Sequence, residues 1–399
     1  MKKISKLVST LIFSTSVFFT GCIDDNPTSP PIQSPTPISS FTPKPSTTPT
    51  VSPTPSATPT STITPSISPT PTSSPSSVSE YPSWAEVFFS QVSLVETVPA
   101  EENIDAKLVE KLSKAQKTVD CALYELDSIV IADALIAAKN RGVQVRIVTD
   151  TDYILNEAVK KVIAQGIPVV EDNRSAIMHD KFIIIDSEYV WTGSFNTTDN
   201  DAGRNNNNAI MIKSKELSEN YTTEFKEMFI DKKFGPTSPA YIPYPNISMP
   251  DGTELVTLFS PENDADKFII QEINNAKKSI HFMAFSFTHD KIGDAMIEKF
   301  KQGLDVRGVF ETRGAKTIYS EYPKMKTAGL DVRLDANKYN LHHKVIIIDD
   351  KEVLMGSFNF SENATSTNDE NLLTIKNNDF IAKNYNDEFN SLYSIAIKE

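Results

Sequence analysis

Residues 341–375 read LHHKVIIIDDKEVLMGSFNFSENATSTNDENLLTI, and residues 178–212 read MHDKFIIIDSEYVWTGSFNTTDNDAGRNNNNAIMI. The two stretches share one skeleton at a constant offset of 163 residues, with no gap over 35 positions. We therefore interpret the chain as containing an internal duplication. The polar landmarks His179, Lys181, Asp186, Gly193, Ser194, Asn196 and Asn205 fall on His342, Lys344, Asp349, Gly356, Ser357, Asn359 and Asn368.

Each copy places a histidine and a lysine two residues apart, at the start of an apolar run rich in isoleucine. Such a run predicts a buried strand, and side chains two apart on a strand share a face. His179 and Lys181 therefore point the same way, as do His342 and Lys344. Hydroxyls and carboxamides follow in each copy, from Ser194, Asn196, Ser357 and Asn359. All these groups can donate hydrogen bonds to a phosphate. The alternative is a duplication whose polar strand ends are only satisfied core residues.

These residues resemble the phospholipase D superfamily, whose hallmark is two His-x-Lys-x4-Asp motifs, each followed by Gly-Ser-x-Asn. The resemblance covers roughly residues 85–399. The sequence GSFNFS…NDEN of the second copy is most similar to the bacterial nuclease and mitochondrial cardiolipin hydrolase branch. Members of that branch carry one motif and dimerise. The resemblance implies that both motifs of this chain face one cleft across a pseudo-two-fold axis. It also implies cleavage of a phosphodiester through a phosphohistidine.

The remainder of each repeat predicts an α/β fold. Helical patterns of 10–15 residues lead into strands at 119–124 and 280–287 and alternate with them. This alternation favours an α/β sandwich with a largely parallel sheet in each repeat. We therefore predict two pseudo-symmetric α/β sandwich lobes that share one cleft, over residues 84–235 and 254–399, with a connection at 236–253.

The duplicated histidines must perform different jobs, because diester cleavage needs both a nucleophile and a proton donor. The resemblance favours His179 as the nucleophile and His342 as the acid and base. It also implies that Glu370, 28 residues after His342, orients that histidine by a hydrogen bond. The matching position of the first copy is Asn207. We therefore expect the first histidine to have a neutral partner, or to take a carboxylate from elsewhere, such as Asp199 or Asp201.

The other matching positions of the two copies are less strongly indicated as catalytic residues. Asp186 and Asp349 lie five residues past the lysines, so their odd spacing points them away from the histidine face and favours a structural role. Ser194 and Ser357 are supporting residues or simple turn residues. The chain has no Gly-rich phosphate loop and no cysteine–histidine ligand cluster, so we predict neither a metal nor a cofactor.

The N-terminal fifth of the chain predicts export and a tether. Three lysines precede an apolar run over residues 7–19, which is typical of a secretory signal and too short to span a bilayer. Phe19-Thr20-Gly21-Cys22 resembles a bacterial lipobox, so we predict a signal over 1–21 and a lipidated Cys22. An ordinary cleaved signal and an uncleaved anchor are the alternatives. Residues 22–83 are Thr-Pro-Ser repeats that predict a disordered stalk.

The charge and the tether together rank the substrates. The formal net charge is −13, which disfavours binding of long polyanions, although a small basic funnel could still exist. We therefore predict a metal-independent phosphodiesterase that hydrolyses phospholipids of the phosphatidylcholine or cardiolipin type, tethered as a monomer to the outer face of a membrane. An extracellular nuclease is the first alternative. Transfer to an alcohol differs only in the acceptor, and a non-catalytic phosphate-binding lipoprotein rests on Asn207 alone.

Overall fold

The computed structural model describes residues 82–90, 92 and 103–399, all within one unit, Ser74–Glu399. The predicted signal peptide, Cys22 and the stalk up to residue 81 lie outside the described residues, so these remain predictions. Across the described part of the chain, no helix combines the length and the apolar character needed to cross a membrane.

The first repeat folds into a seven-stranded sheet with helices packed on it. Its strands are β1 (Ala85–Phe89), β2 (Thr118–Leu123), β3 (Gln144–Thr149), β4 (Val169–Glu171), β5 (Lys181–Ile185), β6 (Tyr189–Gly193) and β7 (Asn208–Lys213). Its helices are α1 (Ile104–Lys114), α2 (Ile129–Asn140), α3 (Glu157–Ala164), α4 (Asp199–Gly203) and α5 (Lys215–Phe229). The order across the sheet is β1-β7-β6-β5-β2-β3-β4.

The second repeat builds the same sheet with one strand more. Its strands are β8 (Asn246–Ser248), β9 (Glu254–Ser260), β10 (Ser279–Ala284), β11 (Asp305–Phe310), β12 (Asp331–Leu334), β13 (Lys344–Ile348), β14 (Glu352–Gly356) and β15 (Glu370–Lys376). Its helices are α6 (Ala265–Asn275), α7 (Asp290–Lys301), α8 (Thr312–Ala315), α9 (Glu321–Thr327), α10 (Glu362–Ser366) and α11 (Asp379–Ile395). The order is β12-β11-β10-β13-β14-β15-β9-β8, so the predicted connection at 236–253 supplies the edge strand β8.

Both sheets are mixed, and the expectation of a largely parallel sheet is wrong. Only β2, β3 and β4, and their counterparts β10, β11 and β12, run parallel. The reason lies in the turn that follows each Ile-rich strand. Asp186 and Ser187 adopt φ of 56° and 54°, and Asp349 and Asp350 adopt 55° and 59°. Two successive left-handed residues make a tight hairpin, which joins antiparallel neighbours.

One apolar core lies between the two sheets and two others lie outside them. The outer cores contain α1 to α3 on the first sheet and α6, α7 and α9 on the second. The inner core combines residues from both sheets with α5 and α11, including Tyr221 and Phe225 of the first lobe and Tyr385 and Phe389 of the second. Because the two lobes share this core, the strands that carry the two motifs are fixed relative to each other.

Candidate active site

The two motifs meet where each lobe hydrogen-bonds to the other. The backbone N–H of His179 donates to the carbonyl oxygen of Asp369 at 2.9 Å, and that of His342 donates to the carbonyl oxygen of Asn206 at 2.9 Å. Residue 369 immediately precedes Glu370, and residue 206 immediately precedes Asn207. Each motif histidine is therefore placed beside the end of a strand from the opposite repeat.

His179 is held by a carboxylate of the second lobe. Its Nδ1 lies 2.7 Å from Oε2 of Glu370, and the Glu370 side chain is fully buried. The edge of the Tyr124 ring packs against the imidazole, with centroids 4.8 Å apart. This contact orients the imidazole ring of His179 through its Nδ1.

His342 is held by an amide and a carboxylate of the first lobe. Its Nδ1 lies 2.9 Å from Oδ1 of Asn207 and 3.4 Å from Oδ2 of Asp201. Phe285 packs against this ring at 4.6 Å, in the place that Tyr124 takes beside His179. The first contact is a hydrogen bond by distance, whereas the second places a negative charge just beyond that range.

The partners of the two histidines are therefore crossed between the lobes, and our expectation of partners within one repeat is wrong. Glu370 holds His179 rather than His342, and Asn207 holds His342 rather than His179. The neutral partner and the borrowed carboxylate both belong to the second histidine, and of the two candidates it is Asp201 that makes the contact. The physical cause is the strand pairing across the lobe boundary, which sets each strand end against the opposite motif.

Each motif lysine contacts the backbone of its own histidine and has N–H groups free for a further hydrogen bond. Lys181 Nζ donates to the carbonyl oxygen of His179 at 2.7 Å, and Lys344 Nζ donates to that of His342 at 2.8 Å. An ammonium carries three donors, so each lysine retains protons for a further acceptor. Burial lowers the pKa of Lys181 to about 8, and burial together with Lys181 lowers that of Lys344 well below its usual value.

Burial also governs the protonation of the histidines. It lowers the pKa of His179 well below the usual value, and Lys181 and Lys344 lower it further. It lowers the pKa of His342 to about 4, with Lys344 adding to the effect and Asp201 opposing it. A phosphodiester anion beside them would favour the protonated forms, so the site is expected to take up protons as it binds substrate.

The asparagines of the two Gly-Ser-Phe-Asn segments share an unpaired carboxamide oxygen. The carboxamide oxygens of Asn196 and Asn359 are buried and have no hydrogen-bond partner among the described residues. Buried polar atoms are normally paired, and the same exception occurs at equivalent positions of both lobes.

The supporting serines and aspartates bind neighbouring backbone and side-chain groups. The Ser194 hydroxyl donates to Oδ1 of Asn207 at 2.9 Å, and the Ser357 hydroxyl accepts from the backbone N–H of Asn371 at 2.9 Å. Both serines are fully buried, which favours the supporting role over a phosphate contact. Asp186 accepts from three backbone N–H groups at residues 116–118, and Asp349 accepts from those at 277–279. These two carboxylates therefore fix the strand ends.

The sequence did not predict a group of carboxyls near His179, formed by Asp180, Glu224 and Glu262. Asp180 is fully buried with its Oδ2 unpaired in the described part of the chain, while its Oδ1 accepts from Asn371 at 2.7 Å. Burial raises the pKa of Asp180 to about 6, that of Glu262 to about 8, and that of Glu224 well above its usual value. In the second lobe the corresponding place holds His343, which contacts Glu388. The two lobes thus differ at this position, with a carboxyl in the first and an imidazole in the second.

Comparison with known proteins assigns the family. The chain matches the family described as "Cardiolipin synthase, PLD-like domain" over residues 108–229 and 269–393, which together exceed half of its length. The chain belongs to the phospholipase D superfamily. It is 34% identical over 155 residues to a phospholipase D of Rickettsia prowazekii, covering 39% of this chain and 76% of the relative. It is 29% identical over 149 residues to the mitochondrial cardiolipin hydrolase of Mus musculus, covering 37% of this chain and 66% of the relative.

A solved structure agrees with the fold of this superfamily member. Phosphatidylserine synthase of Haemophilus influenzae superposes with a TM-score of 0.59 at 13% identity, covering 76% of this chain and 89% of that protein. The two-lobed phospholipase D fold and a phosphodiesterase activity of this class are therefore assigned to the chain. The described residues contain no group of three or more histidine, cysteine, aspartate or glutamate side chains arranged to hold a metal ion.

Proposed function

We propose that the enzyme hydrolyses phospholipid diesters, of the phosphatidylcholine or cardiolipin type, through a phosphohistidine. The observation that carries this proposal is the convergence of two buried histidine–lysine pairs, each completed by the opposite lobe. Both motifs lie in one chain, so a monomer holds a complete site. No step of the proposed reaction requires a metal ion.

In the proposed reaction the two histidines act in turn. His179 attacks phosphorus through Nε2, and the bond from phosphorus to the leaving oxygen breaks while His342 donates a proton to that oxygen. His342 then accepts a proton from water, which attacks phosphorus and releases His179. Lys181, Lys344 and the two asparagines supply hydrogen bonds to the remaining phosphate oxygens as charge develops on them.

Exposed apolar side chains on the loops that follow β3 and β11 support a lipid substrate. Asp150 and Glu311 follow β3 and β11, and they accept from the backbone N–H groups of the residues just before the two motif histidines. The loops that begin there carry Leu155, which is 71% exposed, and Ile318, which is 90% exposed. Ile318 is followed by Tyr319, which is 72% exposed, and adjacent exposed apolar side chains are typical of surfaces that meet a membrane or a partner.

A nuclease remains the second candidate, because the wording of the second motif is most similar to the bacterial nuclease branch. The deciding experiment incubates residues 81–399, in EDTA, with vesicles of phosphatidylcholine or cardiolipin and with single-stranded DNA and RNA. We expect cleavage of the lipids at an unchanged rate in EDTA. If the protein cleaved nucleic acid and no lipid, the lipid proposal would be wrong and the nuclease proposal would take its place.

A matched variant separates lipid docking from chemistry in the same experiment. Ile318→Asp should slow cleavage of vesicles, because it places a charge where a bilayer would contact the loop. It should leave cleavage of the small soluble diester bis(4-nitrophenyl) phosphate unchanged. Equal rates of vesicle cleavage by the variant and the parent protein would show that this loop does not meet the lipid surface.

We also propose that Cys22 carries a lipid anchor on the outer face of a cell membrane, as the lipobox-like sequence suggests. Cys22→Ser in the full chain should release the protein from the membrane fraction and abolish incorporation of labelled palmitate. The specific activity of the released protein should match that of the parent in detergent. A variant that stays in the membrane with an intact N-terminus would indicate an uncleaved anchor instead.

A further inference from the structure

The two lobes carry their buried carboxylates at different places. Glu370 in the second copy corresponds to Asn207 in the first, so the first copy lacks the acid at this position. Asp201 in the first copy corresponds to Ala364 in the second, so there the first copy has an acid that the second lacks. Each copy thus contributes one carboxylate, and the two positions lie six residues apart in the sequence.

Both carboxylates lie close to the Nδ1 atom of a motif histidine. Glu370 Oε2 lies 2.7 Å from Nδ1 of His179, and Asp201 Oδ2 lies 3.4 Å from Nδ1 of His342. We propose that Asp201 is the charged positioning residue of His342, in place of the glutamate that the first copy lacks. Asn207 then serves as the neutral hydrogen-bond acceptor of the same nitrogen, at 2.9 Å.

The surroundings of Asp201 keep it ionised and aimed. Its Oδ2 accepts the backbone N–H of Asn196 at 2.8 Å, and its Oδ1 accepts from the Asn205 carboxamide at 2.5 Å. Although burial acts to raise the pKa of Asp201, His342 and these hydrogen bonds lower it well below the usual range. Glu370 differs, because burial raises its pKa well above the usual value despite Lys181. The hydrogen bonds from Asn196 and Asn205 therefore hold the Asp201 carboxylate beside His342.

A charge in this place fits the role of acid for His342. The ionised groups that act on His342 are Lys344 and Lys181, which disfavour its protonated form, and Asp201, which favours it. An opposite charge at this range typically moves a pKa by about one to three. Asp201 is thus the only one of these three groups that helps His342 to hold the proton it must deliver.

The test follows the ring of His342 by NMR and needs no substrate, so it does not depend on the proposed lipid chemistry. The chain has five histidines, so the His342 signal can be assigned by its loss in His342→Gln. Asp201→Asn should lower the pKa of His342 by about one pH unit or more, because it removes the charge and keeps an acceptor for Asn196. The pKa of His179 should change much less.

Moving the carboxylate from residue 201 to residue 207 provides a control. If Asp201 had only a structural role, this change would not restore the pKa of His342. Asn207→Glu in the Asp201→Asn background should raise the pKa of His342 again, because residue 207 already contacts Nδ1. Cleavage of a soluble alkyl phosphodiester, whose leaving oxygen needs a proton, should report the same loss and recovery as a displaced limb of the pH–rate profile. An unchanged His342 pKa in Asp201→Asn, or no recovery in the double variant, would overturn the proposal. The second copy folds with Ala364 at this position, so Asp201→Ala offers a further variant if the asparagine is poorly folded.

Discussion

Replacing His179 with alanine is expected to abolish the covalent phosphoenzyme, whereas replacing His342 with alanine is expected to let that intermediate accumulate. Loss of a general acid or base typically costs about 10²- to 10⁴-fold in rate. His342→Ala should therefore form the phosphoenzyme slowly from an alkyl diester. It should form it readily from a diester with a 4-nitrophenol leaving group, which departs without a proton.

In His342→Ala the intermediate should then persist, because water has lost its general base. The measurement is retention of a ³²P-labelled diester on the denatured protein, which separates formation from hydrolysis of the intermediate. His281→Gln is the matched control, since His281 stacks on Phe389 within the second lobe and has no place in the proposed reaction. It should turn over substrate like the parent protein.

Two outcomes would contradict this division of roles. Label held by His179→Ala but not by His342→Ala would make His342 the nucleophile, and the histidine bonded to Glu370 would then be the acid. Cleavage without any label on the parent protein or on either variant would rule out the two-step mechanism.

The sequence sufficed to predict the two lobes and to place a histidine–lysine pair at the same point of each. A constant offset of 163 residues places His179 and His342, and the lysines two residues later, at equivalent strand starts. The alternation of side chains along a strand predicts that each pair shares a face. In the structure β5 and β13 begin at the lysines, each histidine lies two residues before its strand, and each lysine donates to the carbonyl oxygen of its histidine. These inferences succeed because they depend on local geometry only.

The partners of the histidines could not be predicted because they depend on contacts between the lobes. Nothing in the order of residues tells whether Glu370 turns toward its own histidine or toward the other one. The aromatic supports were within reach of the sequence, since Tyr124 and Phe285 occupy matching positions after equivalent strands at an offset of 161. The carboxyls at Asp180 and Glu224 were not, because their burial depends on the packing of α5 against the sheet.

Gly356→Ala is expected to cause the largest loss of stability among conservative changes in the second lobe. Gly356 ends β14 with φ of 148°, and a Cβ there would lie 2.3 Å from the backbone oxygen of Asn371. Gly193 has the same surroundings in the first lobe, with φ of 155° and a Cβ position 2.3 Å from the oxygen of Asn208. A contact with backbone cannot be relieved by rotation of a side chain, so the strand itself must move.

The expected cost is about 3 kcal/mol or more, since a strained backbone and a displaced strand act together. The free energy of unfolding from urea titrations measures it, with Gly314→Ala as the control. Gly314 lies in α8 with no atom within 4 Å of its Cβ position, so that change should stay within about 0.5 kcal/mol. Unchanged stability in Gly356→Ala would mean that β15 can move away from β14 at little cost.

The same substitution should also impair catalysis, because the strand that must move carries a site residue. The N–H of Ser357 donates to the oxygen of Asn371, and Glu370 immediately precedes that residue. A shift of β15 would therefore carry Glu370 away from His179, and misplacement by about 1 Å can cost roughly 10²-fold in rate. We expect the loss of kcat in Gly356→Ala to exceed the loss in Gly314→Ala even at temperatures where both variants remain folded. Full activity in folded Gly356→Ala would show that the contact between Glu370 and His179 tolerates displacement of the strand.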